Sequence, residues 1–149
     1  MPGHLIRRLH QISMAMFHER IAALGLDLTA VQYGALSVLA ERPGIDQATL
    51  AGLIAYDRAT IGGVVDRLET KGLISRQVSM RDRRARELNL TRRGARVLAR
   101  VEPEISDVQG AILASLADGE RTEFMRCLKL LTDAGNIQSR APLVRPEDR

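Results

Sequence analysis

Tryptophan is absent from this 149-residue chain, and its only aromatic residues are Phe17, Tyr33, Tyr56 and Phe124. So few rings argue against the stacking platforms that usually hold single-stranded nucleic acids. Cysteine occurs once, as Cys127, which excludes an intramolecular disulfide framework and fits a reducing compartment. No apolar run approaches the ~20 residues that span a bilayer, and the N-terminus lacks a signal-type hydrophobic stretch. The expectation is therefore a cytoplasmic protein with no membrane partner. Three histidines without a His-Glu-x-x-His or Cys-x-x-Cys pattern do not make a metal site, and nothing implies a cofactor. Neither a Gly-rich phosphate loop after a strand nor a nucleophile with its base is recognisable, so an enzyme is not expected.

What the chain does have is an ordinary core and an uneven charge. Hydrophobic residues make up 45% and charged residues 27%, enough apolar material for one folded protomer, alone or entwined with a copy of itself. The net charge of +4 is modest, but residues 55–100 hold twelve basic and five acidic side chains, a local +7, while the rest of the chain is acidic by 3. A basic middle between mildly acidic ends is the footprint of a polyanion-binding module. Arginine supplies 20 of the 22 basic residues, and its planar fork suits phosphate and guanine.

Apolar residues at Leu5, Ile6, Leu9, Ile12, Met16, Phe17, Ile21 and Leu24 recur three or four apart, predicting a helix over 4–24 that Gly25 ends. Thr29 and Gln32 have capping-box spacing and open a second helix, which Pro43-Gly44 terminates. Asp46 is placed to cap a short third helix, and Asp57 a fourth that carries Ile61, Val64, Val65 and Leu68 and stops at Lys71-Gly72. Two short helices around a tight connection make a helix-turn-helix candidate. Leu73–Val78 and Glu87–Leu90 read as strands joined by the basic segment Met80–Arg86, so a hairpin follows directly as a wing. Thr91 caps a long helix to about Leu116, with Pro103 expected to kink it, and Asp118 caps a last helix ended by Gly135. The predicted fold is mainly α with a small β-hairpin wing. Residues 28–91 form its DNA-binding lobe, and 4–24 with 92–136 are the helices of the two chain ends. The tail, 137–149, is expected to be disordered or to cross to a partner.

These residues resemble the MarR family of bacterial winged helix-turn-helix regulators from about His4 to Gly135. The most specific part is Asp82-x-Arg84 followed after five residues by Leu90-Thr91, similar to the family's wing signature. Thr60, Val64, Leu68-Glu69, Gly72-Leu73-Ile74 and Arg76 look like the recognition helix running into the wing. The resemblance implies a homodimer in which the first and last two helices of each subunit, 4–24 and 92–136, pack together as the dimerisation region, with a small-molecule pocket near the junction with the DNA-binding part. Residues 4–11 and 57–63 further resemble the branch that controls catabolism of aromatic acids.

On the fourth helix Arg58, Thr60, Gly62, Gly63 and Arg67 lie away from the apolar side, a small and polar face suited to the major groove. Arg58 is the candidate base reader, while Arg67 and Asp66 have the alternative of pairing with neighbours. The adjacent glycines each cost about 1 kcal/mol relative to Ala, so either drift or a close approach of bare backbone to the groove accounts for them. In the wing, Arg84 is the candidate for the minor groove, and Arg81, Arg83 and Arg86 for phosphate or groove contacts, one of them alternatively turning back onto Glu87. Asp82 is expected to fix the hairpin and orient an arginine, since a carboxylate facing phosphate is repelled. Gln47 and Thr49 either reach the DNA backbone or simply cap their helix.

His4, Arg8 and Gln11 share one face of the first helix beside its apolar stripe. A cation with hydrogen-bonding groups there suits a small aromatic carboxylate, or else forms the polar rim of a dimer interface. His10 and His18 are less well aligned. The expected function is a homodimeric repressor released from a pseudo-palindromic duplex operator by such an acid. Two alternatives are a redox-responsive regulator acting through Cys127 and a helical adaptor without DNA binding. Against the first, Cys127 lies among Phe124, Leu128 and Leu131, where a buried, inert thiol is expected.

Overall fold

In the computed structural model, which describes residues 1–146, the elements run α1 (Pro2–Ala23), α2 (Ala30–Glu41), α3 (Gln47–Leu53), α4 (Arg58–Thr70), β1 (Ile74–Val78), β2 (Arg86–Leu90), α5 (Arg92–Ile112) and α6 (Asp118–Gly135), then a 3-10 turn at Asn136–Gln138. This is the predicted mainly helical fold with a two-stranded wing. The chain divides into a helical unit, residues 1–30 with 99–133, and a winged unit, residues 31–98 with, among the described residues, 134–146. The first two turns of α5 and residues 134–146 thus belong with the winged lobe, beyond the limits 28–91 expected for it.

Local chemistry explains most helix starts. The Thr49 N–H donates to Asp46 Oδ1 at 2.7 Å and the Thr60 N–H to Asp57 Oδ1 at 2.9 Å, so both aspartates satisfy N–H groups that a helix start leaves unpaired. Thr91 Oγ1 accepts from the Gly94 N–H at 3.0 Å and donates to the Gly72 carbonyl at 2.7 Å, so it caps α5 and also ties it to the end of α4. The expected cap at Asp118 is corrected. Helix α6 begins with that residue, and Glu120 reaches back to the Ala117 N–H at 2.8 Å, which is half of a capping box. Helix α5 stops at Ile112, short of Leu116, because the next N–H groups bond three residues back: Leu113 to Gly110 at 3.2 Å and Leu116 to Leu113 at 3.0 Å.

The winged unit buries Leu36 and Leu39 of α2, Leu50 of α3, the Ile61, Val64, Val65 and Leu68 stripe of α4, and Ile74 and Leu88 of the strands. The strands pair antiparallel, from Ile74 opposite Leu90 to Val78 opposite Arg86. A further bridge joins Ile45 to Leu88, with the Gly44 N–H donating to the Leu88 carbonyl at 2.9 Å. Gly44 makes that turn at φ +83°, in the left-handed region where glycine is unstrained. The helical unit buries Phe17, Ile21, Val101, Ile105 and Val108 and links Arg20 to Glu104 at 3.1 Å. Helix α6 buries none of its residues.

The expectation of a disordered or crossing tail is corrected as far as Pro146. The Val144 N–H donates to the Gly52 carbonyl of α3 at 2.9 Å, so this segment turns back onto its own winged unit. Residues 147–149 of that tail lie outside the described residues.

Candidate nucleic-acid interface

Helix α4 buries one stripe and presents Arg58, Thr60, Asp66 and Arg67 to solvent. Asp57 organises its first turn twice over, since the Thr60 hydroxyl also donates to Asp57 Oδ2 at 2.6 Å. That hydroxyl, with the Thr60 N–H, holds the Asp57 carboxyl below its ordinary range and therefore ionised. The hydroxyl hydrogen of Thr60 is thus committed to the cap, leaving its oxygen as an acceptor beside the methyl group.

The two glycines of α4 have neighbours that neither expected explanation included. A Cβ on Gly62 would lie 3.4 Å from Gln47 Nε2, and one on Gly63 would lie 3.3 Å from Arg67 Nη2. Gly62 thus leaves room for a side chain of α3, and Gly63 lets Arg67 fold back along its own helix. Gln47 and Thr49 are half-buried, and the Thr49 backbone is engaged by the Asp46 cap.

Arg76 of β1 joins the wing to α4, bonding Asp66 and approaching Glu69 Oε2 to 3.1 Å. Asp66 therefore pairs with the wing, while Arg67 lies over Gly63. In the wing turn the Arg84 N–H donates to Asp82 Oδ1 at 2.9 Å and the Ala85 N–H to the Asp82 carbonyl at 3.0 Å. Asp82 thus orients the backbone of Arg84 as an Asx-type turn does. Glu87 accepts from the Ser79 hydroxyl at 2.8 Å, which corrects the alternative of a wing arginine turned onto it. Arg81, Arg83, Arg84 and Arg86 are all exposed. A cleft of about 360 Å³ separates Gln47 of α3 from Arg84 and Arg86, so these three candidates share one concave surface.

Three structural residues escaped sequence reasoning. Ser79 is the buried hub of the wing turn, its hydroxyl also accepting from the Arg81 and Asp82 N–H groups at 3.2 and 3.3 Å. Ala55, between α3 and α4, sits at φ +54°, where a Cβ is strained. Gly94 is needed because a Cβ there would lie 2.0 Å from the Leu73 carbonyl oxygen. A glycine inside a strongly helical pattern was the available signal for Gly94.

The sequence-predicted effector residues are spread along an open face. His4 and Arg8 are exposed, and Gln11 accepts from Arg7 at 2.9 Å. A groove of about 340 Å³ in the helical unit is instead lined by Ile6, Leu9, His10 and Ser13 together with residues of α5 and α6, and does not include them. Cys127 is half-buried, which corrects the expectation of a buried thiol. It donates to Glu123 Oε1 at 3.3 Å, and this bond pushes its pKa up, favouring the protonated thiol. Among the described residues no group of His, Cys, Asp and Glu is placed to hold a metal, and no helix is long and apolar enough to cross a membrane.

Residues 28–85, which hold α2 to α4 and most of the wing, match the model of the MarR family. The transcriptional repressor NicR of Pseudomonas putida is 32% identical over 89% of this chain and 82% of its own length. This chain belongs to the MarR family. Its DNA-binding part is therefore the winged helix-turn-helix described above, and it is a transcriptional regulator of that family. PcaV of Streptomyces coelicolor, in complex with its natural ligand, is 34% identical across 91% of this chain and 94% of that one, with a TM-score of 0.82. BpsR of Bordetella bronchiseptica, whose DNA binding is regulated by 6-hydroxynicotinic acid, is 27% identical across 89% and 94%, with a TM-score of 0.83.

Proposed function

We propose that this MarR-family regulator is a cytoplasmic homodimeric repressor, not an enzyme, released from a pseudo-palindromic operator by a small aromatic or heteroaromatic carboxylate. The observation that carries the dimer is the uncovered apolar surface of the helical unit. Leu5 and Ile6 of α1 are 62% and 60% exposed, and Leu130 and Leu131 of α6 are 60% and 66% exposed. Large apolar surface of this kind is hidden in stable proteins by a partner, and a twofold copy is the commonest one. Two recognition helices related by that axis enter successive major grooves, so half-site centres lie about one helical turn, ~10 bp, apart.

Within each half-site the face of α4 that carries Arg58, Thr60, Gly62, Gly63 and Arg67 enters the major groove, with Gln47 over Gly62 and Arg67 over Gly63. Arg84 takes the minor groove, Arg81, Arg83 and Arg86 contact phosphate or groove, and Gln47 and Thr49 reach the DNA backbone. The effector class is supported by the likeness to BpsR, whose DNA binding 6-hydroxynicotinic acid regulates, with Arg8 as carboxylate partner and His4 and Gln11 as hydrogen-bonding neighbours. To release DNA the acid must prefer a state whose helices are misplaced for the grooves, since equal affinity for both states shifts nothing. A panel of benzoates, hydroxycinnamates and pyridine carboxylates tests this. One member should lower operator affinity, and Arg8→Ala should bind DNA but lose the response. Silence across the panel would remove the effector assignment. The bond from Cys127 to Glu123 disfavours the redox alternative, because the thiolate is the reactive form.

A further inference from the structure

Gly52 stands sixth in the seven-residue α3, in its last turn, where alanine is the better helix former. Its backbone lies outside the left-handed region, so conformation does not require glycine. A Cβ at this position would lie 3.1 Å from both Cβ and Cγ2 of Val144. The carbonyl of the same residue accepts from the Val144 N–H at 2.9 Å. The missing side chain is thus the notch in which Val144 sits.

The segment that delivers Val144 is itself built. Asn136 Nδ2 donates to the Leu143 carbonyl at 2.9 Å, and the Leu143 N–H donates to Asn136 Oδ1 at 2.8 Å. This pair of bonds closes the loop between the two residues and fixes the backbone immediately before Val144. Within the loop the Ala141 N–H donates to Ser139 Oγ at 3.2 Å. The site it reaches is the turn of the helix-turn-helix, for the Gly52 carbonyl also accepts from the N–H of Ala55, the strained residue that redirects the chain into α4.

We infer that residues 136–146 form a strap whose Val144 seats at Gly52, and that Asn136 and Val144 are positioning residues for the DNA-reading helices. The strap steadies the end of α3 and the strained turn, and through them the direction of α4. This rests on DNA binding by the winged lobe and is independent of the effector.

Amide hydrogen exchange and operator affinity, measured on the full-length protein, test it. In the parent the Val144 amide should exchange slowly. Asn136→Ala should speed exchange at Val144, Ile54 and Ala55 by about tenfold, the scale of one lost hydrogen bond, and weaken operator binding several-fold. Gly52→Ala gives the sharper sign. Helix propensity alone makes it slow exchange in α3, whereas a crowded Val144 makes it speed exchange at Ile54 and Ala55. Combined with Val144→Gly, which clears the notch, the same Gly52→Ala change should revert to slowing it. An open-chain rate at Val144 in the parent would overturn the strap, as would slower α3 exchange for Gly52→Ala with Val144 present. Unchanged operator affinity in Asn136→Ala would overturn the positioning role.

Discussion

Most of the buried apolar side chains lie in the winged, DNA-reading unit, whereas α1 and α6 of the helical unit leave Leu5, Ile6, Leu130 and Leu131 at least 60% exposed. Thirteen of the nineteen buried apolar residues belong to the former, and α6 contributes none. That division suits the proposed function: a reading head must be rigid to place side chains in grooves, while a dimerisation surface is complete only when a second copy covers it.

Predictions follow the same contrast, beginning where the reading unit is tightest. Gly94→Ala should destabilise the fold by more than about 3 kcal/mol in chemical denaturation, because the added carbon collides with the Leu73 backbone carbonyl, which cannot rotate away as a side chain could. A wild-type midpoint would mean that α5 is free to shift. In the helical unit, Leu131→Asp should raise the dimer dissociation constant at least about a hundredfold, since a twofold interface suffers the change twice. Secondary structure should be retained, as Leu131 is already exposed in the single chain. Sedimentation of an undiminished dimer would take α6 out of the interface.

Within the reading unit, helix and wing should separate by specificity. Arg58→Ala should erode discrimination among operator variants by about 1 to 3 kcal/mol, whereas Arg84→Ala should weaken all duplexes alike or lose A·T preference beside the half-site. Identical profiles on a panel of variants would refute this division. A smaller and favourable change is expected from Ala55→Gly, which relieves a left-handed alanine and should stabilise the protein by about 1 kcal/mol in thermal or chemical unfolding. The least effect concerns pH. The folded pKa of Asp57 is lowered from its ordinary 3.8, so its stabilising contribution is present above that value and lost as pH falls through the lower, folded one. From roughly pH 5 to 7.5 this cap should therefore add no pH dependence to operator binding or unfolding. A midpoint in that window that Asp57→Asn abolishes would contradict the assignment.

The parts of the fold legible in the sequence are those decided within a few residues. Asp46, Asp57 and Thr91 are caps because the acceptor and the unpaired N–H groups lie within one turn of each other, and the wing follows from two short strands around a basic turn. What stayed hidden depends on approach between distant segments. The Ile45–Leu88 bridge, the contact of Gly94 with Leu73 and the seat of Val144 at Gly52 each join residues that no local pattern relates. Asp118 misled because an acidic residue suits both the cap and the first turn, and Glu120 decided between them. In the interface, the exposed arginines of α4 and the wing were legible from charge alone, whereas the neighbours of Gly62 and Gly63 were not. The effector face was the least legible, since a cation beside an apolar stripe describes a ligand site and an interface rim equally well.

Half-site dependence checks the proposed dimer, in which the helical units pair and two winged units read one operator. Duplexes selected from a random pool by the parent protein would be rebuilt with one half-site, or with two at varied spacing, and titrated at fixed salt. One dimer should bind tightly to two half-sites centred about one helical turn, ~10 bp, apart, and much more weakly to a single half-site or at half-turn spacing. Equal affinity for one and two half-sites, with a single chain bound to each, would contradict it.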